Sequence, residues 1–390
     1  MSLPTLSNGR IDARSLDRAG VAELLKTVDG REGRASTIFG WLWQRGIDDF
    51  SEMTMVSAAT KQALSKHAQI VALECKQVLD STDGTRKFLW RCADGAIIES
   101  VLIPDDDRTT IDGRPCPSRL TLCVSSQVGC AMKCGFCLTG DMGLKRHLTA
   151  GEIASQPLQV QAMLPSGTRI TNIVMMGMGE PLHNYDNLVT ALRIMLDDVG
   201  LNLSHRKITV STVGLVPALK RLAQELPVNI AISLNATTEE QRRAVMPITR
   251  KYSLAELMAT CANLPLHPGK RIAFEYVMMA GFNSEMADAQ RLYELMKPIR
   301  ARVKVNLIPY NENPNREIRR PNQDRVKAFQ HHLVSRGIHC SVRTTRGRDI
   351  SAACGQLGAR ATTSDQQNPT RTPNKRTLSQ SSSQPIPEVT

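Results

Sequence analysis

The chain has 390 residues, 41% of them hydrophobic, and its 49 Lys and Arg against 37 Asp and Glu leave a net charge of +12. That length allows a large core in a globular protein, organised as two domains or a barrel with additions, and the charge suits a polyanionic partner, nucleic acid above all. No apolar run approaches the ~18–20 residues of a membrane span. The start, MSLPTLSNGR, lacks the apolar segment of a secretory signal, and ten cysteines without framework spacing fit a reducing compartment, so a cytoplasmic protein is expected.

Residues 11–70 read as helical, with no β-rich run. ASTIFGWLWQRGIDDFSEMT sets Ile38, Phe39, Leu42 and Trp43 at helical spacing before a turn at Gly46. Trp41 and Trp43 could stack on bases, although such a stripe is more often core. The segments VALECKQVLD, RKFLWRC and AIIESVLIP then alternate apolar and polar residues between DGT and ADG turns, which predicts a short antiparallel sheet. Glu99 falls in its last strand, and alternation alone would turn it to solvent. Residues 104–119, with Cys116, read as a polar loop.

From 120 onward strand-like runs alternate with helix-like ones. The strands are LTLCVSS (120–126), TNIVMM (171–176), KITVST (207–212), NIAISL (229–234), RIAFEYV (271–277) and KVNLIPY (304–310), with a last one at IHCSVRT (338–344). Six such repeats imply a parallel sheet covered by helices, either doubly wound or an incomplete barrel. In both, ligands sit at the carboxyl ends of the strands, so the turns GMGEP, STVG, LNATT, MMAGFNS and PYNEN should face one site. Beyond about 359 the sequence is Ser/Thr/Gln/Asn/Pro-rich and reads as a disordered tail.

The loop after the first of these strands, CAMKCGFC, places Cys130, Cys134 and Cys137 in a C-x3-C-x2-C pattern. Three close thiolates call for a metal, and sulfur favours an iron–sulfur cluster or zinc. Three protein thiolates on a four-iron cubane leave one iron open for a small molecule. Zinc would need a fourth ligand, with Cys123 and His147 the nearest candidates. Glu180, in a turn with Gly177 and Gly179, could meet a polar ligand, and Ser211, Ser233, Asn235 and Asn311 offer uncharged polar groups at strand ends. Cys123 and Cys354 come from opposite ends of the core, and Arg343, Arg346 and Arg348 near Cys354 would favour its thiolate. Cys75, Cys92, Cys261 and Cys340 read as buried free cysteines.

The cysteine spacing, with Phe136 before the last thiol, resembles the signature of the radical S-adenosylmethionine (SAM) enzymes. The ordered series LCVSSQVGCAMKCGFCLTGDMGLKRHLTAGEI, MMGMGEPLHNYDN, ITVSTVGLVP, ISLNATTEEQRR, LIPYNENP and TRGRDISAACGQL resembles, through about residue 358, the RNA adenine-C2 methyltransferases of the RlmN type. The resemblance implies an α/β fold: a partial (β/α)6 radical-SAM barrel at 120–358, a helical RNA-contacting domain at 1–71, a small β extension and loop at 72–119, and the tail at 359–390. It implies a [4Fe-4S] cluster on Cys130, Cys134 and Cys137, and SAM contacts at Gly179, Glu180, Ser211, Ser233, Leu234, Asn235 and Asn311. Many members carry His where this chain has Asn235, so a neutral contact is expected there.

The implied activity is methylation of C2 of an adenosine in the peptidyl-transferase centre of 23S rRNA and of the adenosine 3′ to the anticodon in tRNAs. One SAM methylates Cys354, and a second yields the adenosyl radical that activates this methyl group for attack on C2. Cys123 then releases the product by forming a disulfide, with Glu99 or Cys123 taking the C2 proton. A monomer is implied, served by an electron donor such as flavodoxin or ferredoxin and by a thiol reductant. The rival readings are a C8 methyltransferase acting on the same rRNA adenine and, in another class, a non-catalytic zinc and RNA-binding protein.

Overall fold

Among the described residues, ten strands lie in a single sheet whose spatial order is the chain order. They are β1 (Glu74–Asp80), β2 (Arg86–Arg91), β3 (Ile97–Asp105), β4 (Arg119–Cys123), β5 (Asn172–Met175), β6 (Ile208–Thr212), β7 (Asn229–Ser233), β8 (Ile272–Met278), β9 (Val303–Pro309) and β10 (Cys340–Val342). This computed structural model describes residues 3–30, 32–105, 119–266, 269–313 and 316–358. Most of the predicted loop at 104–119, Cys116 and the tail at 359–390 lie outside the described residues.

From β4 to β10 every neighbouring pair is parallel. Parallel strands need long crossovers, and helices supply them. Ala150–Ala162 joins β4 to β5, Tyr185–Leu196 joins β5 to β6, and Val216–Glu225 joins β6 to β7. The α/β architecture is the expected partial barrel of six strands, with β10 as a short seventh. It stays open because β1 and β10 are edges. The three predicted extension strands are not a separate sheet. They pair antiparallel with one another and with β4, so they continue the barrel wall.

Register decides which residues share a face, because side chains alternate along a strand. Lys87 stands opposite Val101, Val101 opposite Cys123, and Cys123 opposite Val174. Val174 continues the row to Thr209, Asn229, Ala231 and Ala273. Counting by two along each strand, Lys87, Glu99, Cys123, Ser211, Ser233 and Glu275 all project from this one face. The other face carries Leu122, Ile173, Ile232, Phe274, Val305 and Leu307, each fully buried in the main core.

The N-terminal helices Arg18–Val28, Ala35–Gly40 and Ala58–His67 pack against this barrel within one compact unit, Met1–Ala359. The chain widens into a π turn at Trp41–Arg45 and stops at Gly46, whose φ of 64° suits glycine. Ile38, Phe39, Leu42 and Trp43 are core, whereas Trp41 is half-buried with Arg45 over its ring. Ser15 Oγ accepts from the Gly151 amide at the start of the first crossover helix, at 3.1 Å. A Cβ on Gly151 would lie 2.9 Å from Arg14 and Asp12, so only glycine allows that approach. Among the described residues no helix is long and apolar enough to cross a membrane.

Candidate active site

The cysteine loop is held by main-chain bonds at both ends. A short hairpin of Gln127–Gly129 with Leu144–His147 frames it. Gly129 has a φ of +79°, and a Cβ there would sit 1.8 Å from the Gly143 carbonyl oxygen. The Cys130 amide donates to Gly143 at 3.0 Å, Gly135 to Val245 at 2.8 Å, and Cys137 to Cys134 at 3.0 Å. Cys130, Cys134 and Cys137 thereby line one pocket of about 1020 Å³, open to solvent, at the carboxyl ends of the strands. Burial pushes the Cys130 thiol up to about 12 and Cys134 up further; Glu180 and Cys137 add to the first, and Cys137, Cys130 and Glu180 to the second. Such a trio becomes favourable as thiolates when a cationic metal centre shares its charge.

The turn after β5 forms the opposite wall. Glu180 is 3% exposed, and its carboxylate accepts from the Leu182 amide at 3.1 Å and the Val213 amide at 2.9 Å. Burial lifts its pKa to about 7, against those hydrogen bonds. Gly179 has a φ of +103°, and a Cβ there would meet Gln127 at 2.5 Å. Ser211, Ser233 and Asn235 line the same pocket, as do Asn311 and Cys354. Behind them the buried Arg242 donates to the Val213, Ser233 and Leu234 carbonyls at 2.6–3.2 Å, tying two strand ends together.

One implied contact does not line the pocket, and another lines it with its amide already engaged. Leu234 is fully buried and does not line the pocket, so its side chain faces the core. Asn235 adopts the left-handed conformation, φ 59°, which Asn tolerates. Its Oδ1 accepts from the Val277 amide at 2.9 Å and its Nδ2 points to the Met246 sulfur at 3.4 Å. The amide is largely occupied in shaping the pocket wall. Of the predicted turns, MMAGFNS contributes to the pocket only through the preceding Val277.

Cys354 arrives from beyond β10. The residue is exposed and lines the pocket, and the protein around it raises its thiol pKa while Arg343 opposes the rise. The expected thiolate-favouring cluster is thus Arg343 alone. Arg346 donates instead to the Asp83 carbonyl at 3.3 Å, and Arg348 faces Arg320. Cys123, at the end of β4, is buried, and its thiol is raised first by burial and then by the charge of Cys354. The two sulfurs therefore lie within electrostatic reach of each other. The flanks of Cys354 rest on the cysteine loop: Leu138 donates to the Gly355 carbonyl at 2.9 Å and Thr139 to the Leu357 carbonyl at 2.8 Å.

Glu99 is not solvent-facing. It is 3% exposed, outside the pocket lining, and its Oε2 accepts from the Gly358 amide at 3.1 Å. The candidate zinc ligands also stand apart from the three thiols. Cys123 does not line their pocket, and His147 bonds Gln127 at 2.9 Å and packs edge-on against His183. Among the described residues no three His, Cys, Asp or Glu side chains are gathered tightly enough for a single ion. The donor set, three cysteines of one loop lining one pocket, suits an iron–sulfur cluster with one iron left for a ligand. Two buried acceptors on the pocket wall, Asn311 Oδ1 and Glu275 Oε2, have no hydrogen-bond partner among the described residues, which suits a polar ligand with donors.

Comparison with known proteins agrees with this geometry. The Radical SAM superfamily matches residues 124–293, and the family described as Ribosomal RNA large subunit methyltransferase N-terminal domain matches residues 11–70. The chain is 47% identical over 360 residues to "Dual-specificity RNA methyltransferase RlmN 2" of Myxococcus xanthus, covering 90% of this chain and 92% of that one. The chain belongs to the RlmN family. A second RlmN relative, from Anaeromyxobacter sp., is 45% identical over 376 residues, covering 95% of this chain and 96% of its own. A solved radical SAM methyltransferase from Sphaerobacter thermophilus superposes with a TM-score of 0.79 at 40% identity, covering 89% of this chain and 99% of that chain.

Within this RlmN fold, sequence reading overlooked Glu275. It is 5% exposed, accepts from Asn306 Nδ2 at 2.7 Å and stands 3.7 Å from Arg343. An acid amid the apolar run RIAFEYV, two residues from the pocket-lining Val277, was the available signal.

Proposed function

We propose that the chain methylates C2 of adenosine, in the peptidyl-transferase centre of 23S rRNA and 3′ to the anticodon of tRNAs, with Cys354 as the methyl carrier. The observation that carries this reading is the pairing of Cys354 and Cys123 beside a pocket that gathers three further thiols. C2 lies between two ring nitrogens and is too electron-poor to attack a sulfonium methyl, so the carbon must be delivered as a radical.

When bound, a [4Fe-4S] cluster on Cys130, Cys134 and Cys137 would supply an electron, and SAM would supply the methyl group and an adenosyl radical. Glu180 and Asn311 offer acceptors for the SAM amino group, Gly179 main chain for its carboxylate, and Ser211 and Ser233 hydroxyls for its ribose. Asn235 and the strand end at Leu234 shape the wall against which it rests. Cys354 holds the one-carbon unit at the pocket mouth, where a splayed base can reach it. Cys123, a thiol in its buried resting state, gives up its proton and attacks the Cys354 sulfur as the thiolate. An S–S bond forms, the C–S bond breaks toward carbon, and a proton completes the methyl group. Glu99, biased by burial toward holding a proton, is the acceptor for the C2 proton, and the odd electron of the carbon adduct would pass back to the one-electron centre before the disulfide forms.

The disulfide needs a thiol reductant for the next turnover, and the cluster needs a one-electron donor such as flavodoxin or ferredoxin. The basic chain would act as a cytoplasmic monomer, with residues 1–71 contacting RNA, the strands within 72–119 extending the sheet and 120–358 forming the core. The test is Cys123→Ala, which should trap RNA covalently on Cys354. A freely released, fully methylated RNA from that variant contradicts the assignment.

A further inference from the structure

The segment 346–358, which carries Cys354, lies across the face of the sheet extension and is gripped along its length. Before the cysteine, the Gly347 amide donates to Asp83 at 2.8 Å, and Asp349 accepts from Ser81 Oγ at 2.6 Å and the Thr82 amide at 3.2 Å. At the cysteine, Asn311 Nδ2 donates to the Cys354 carbonyl at 3.1 Å. After it, Gly358 donates to Glu99 at 3.1 Å. The β1–β2 hairpin thus holds one half of the segment, while the active-site loops and Glu99 hold the other.

One buried cation touches both halves. Lys87, on β2, has a side chain only 5% exposed, and its partner Glu99 is 4% exposed. The ammonium stands 3.9 Å from Glu99 Oε1 and donates to the Ser351 carbonyl at 3.4 Å. A lysine this deep costs stability unless it is paired and hydrogen-bonded, and both its partners belong to the anchorage of one segment. Burial lowers its pKa, and Glu99 offsets only part of that fall.

We propose that Lys87 is a positioning residue for the methyl carrier: its ammonium links the Ser351 carbonyl, three residues before Cys354, to the carboxylate that holds Gly358, four residues after it. Lys87 touches neither pocket nor substrate. It closes the segment into a loop fixed at both ends, which limits where the Cys354 sulfur can travel and keeps Glu99 behind it. A carrier that must meet a pocket ligand and then a base gains rate from that restriction. The proposal deepens the assignment of Cys354 as carrier and rests on it.

The test compares Lys87→Met, Lys87→Arg and the double variant Lys87→Met/Glu99→Gln, which retains an acceptor for Gly358 without an isolated buried charge. In the protein as purified, amide exchange at 346–358 should quicken by about tenfold or more in Lys87→Met, with β5–β9 amides unchanged. Lys87→Arg should return toward wild type. In the reconstituted holoenzyme, RNA methylation by Lys87→Met should fall by about tenfold or more while SAM cleavage persists.

If Lys87→Met does not fold, the double variant decides: faster exchange confined to 346–358 supports the role, and wild-type exchange there overturns it. Loss of protection throughout the barrel in both variants also overturns it, since Lys87 would then serve the fold in general. A wild-type protein found to carry no methyl group on Cys354 would sink the carrier assignment instead, and the exchange data identify that case separately.

Discussion

Gly177, at the exit of β5, lies so close to the exit of β4 that no side chain fits between them. Its amide donates to the Val124 carbonyl at 3.1 Å. A Cβ there would stand 2.7 Å from both the carbon and the oxygen of that carbonyl and 2.8 Å from the Ser125 nitrogen. All three are main-chain atoms, so no rotamer can relieve the clash. Ordinary contact begins near 3.4 Å, so Gly177→Ala must part the two strand exits by about 0.7 Å. The shift would strain Ser125, whose hydroxyl donates to the Glu99 carbonyl at 2.5 Å and accepts from the Met178 amide at 2.9 Å. Overpacking of this kind costs roughly 1–3 kcal/mol, and one weakened buried hydrogen bond about 1 kcal/mol more. Urea denaturation of Gly177→Ala should therefore show a loss of about 2–4 kcal/mol. SAM affinity, measured by calorimetry on the reconstituted protein, should fall as well, because the displaced turn carries Gly179 and Glu180. Gly33→Ala is the control: nothing lies within 4 Å of its Cβ, and the change should stay within about 0.5 kcal/mol. A Gly177→Ala protein with wild-type stability and SAM affinity would refute the close-approach argument.

Asn311→Ala removes the unpartnered Oδ1 and the bond that steadies the Cys354 carbonyl. SAM binding should weaken by about tenfold, roughly 1.4 kcal/mol, in an equilibrium titration, and unchanged affinity would exclude Asn311 as a contact. Cys134→Ala should lose most iron after anaerobic reconstitution, whereas Cys261→Ala and Cys340→Ala, buried away from the pocket, should keep it. Iron and sulfide analysis of the three variants reads this directly, and equal iron in all three would contradict the ligand set.

The barrel was legible because its strands are apolar runs with polar or glycine-rich ends, and the rule that ligands gather at carboxyl ends anticipates that Ser211, Ser233 and Asn311 line one pocket. The cysteine trio stood out by spacing alone, and its three members line that pocket too. Glu99 was not, because alternation gives two faces without saying which one is covered. The extension continues the barrel wall, and segment 346–358 then lies over the face that would otherwise meet solvent. Long-range register also hid Glu275, which reads as one acid in a strand until the pairing of β8 with β7 sets it opposite Ser233, on the face that also carries Ser211. Leu234 looks like a pocket contact by position, yet it is buried in the core, and Asn235, which does line the pocket, has its Oδ1 engaged by the Val277 amide. The fate of Arg346 depended on the Asp83 turn, more than 250 residues away in the chain.

The most direct measurement is nucleoside mass analysis of 23S rRNA and tRNA after reaction with the anaerobically reconstituted protein, SAM and a one-electron reductant. The account predicts 2-methyladenosine, formed by the wild type and absent with Cys354→Ala. Appearance of 8-methyladenosine instead, or of any methyladenosine with Cys354→Ala, would contradict it.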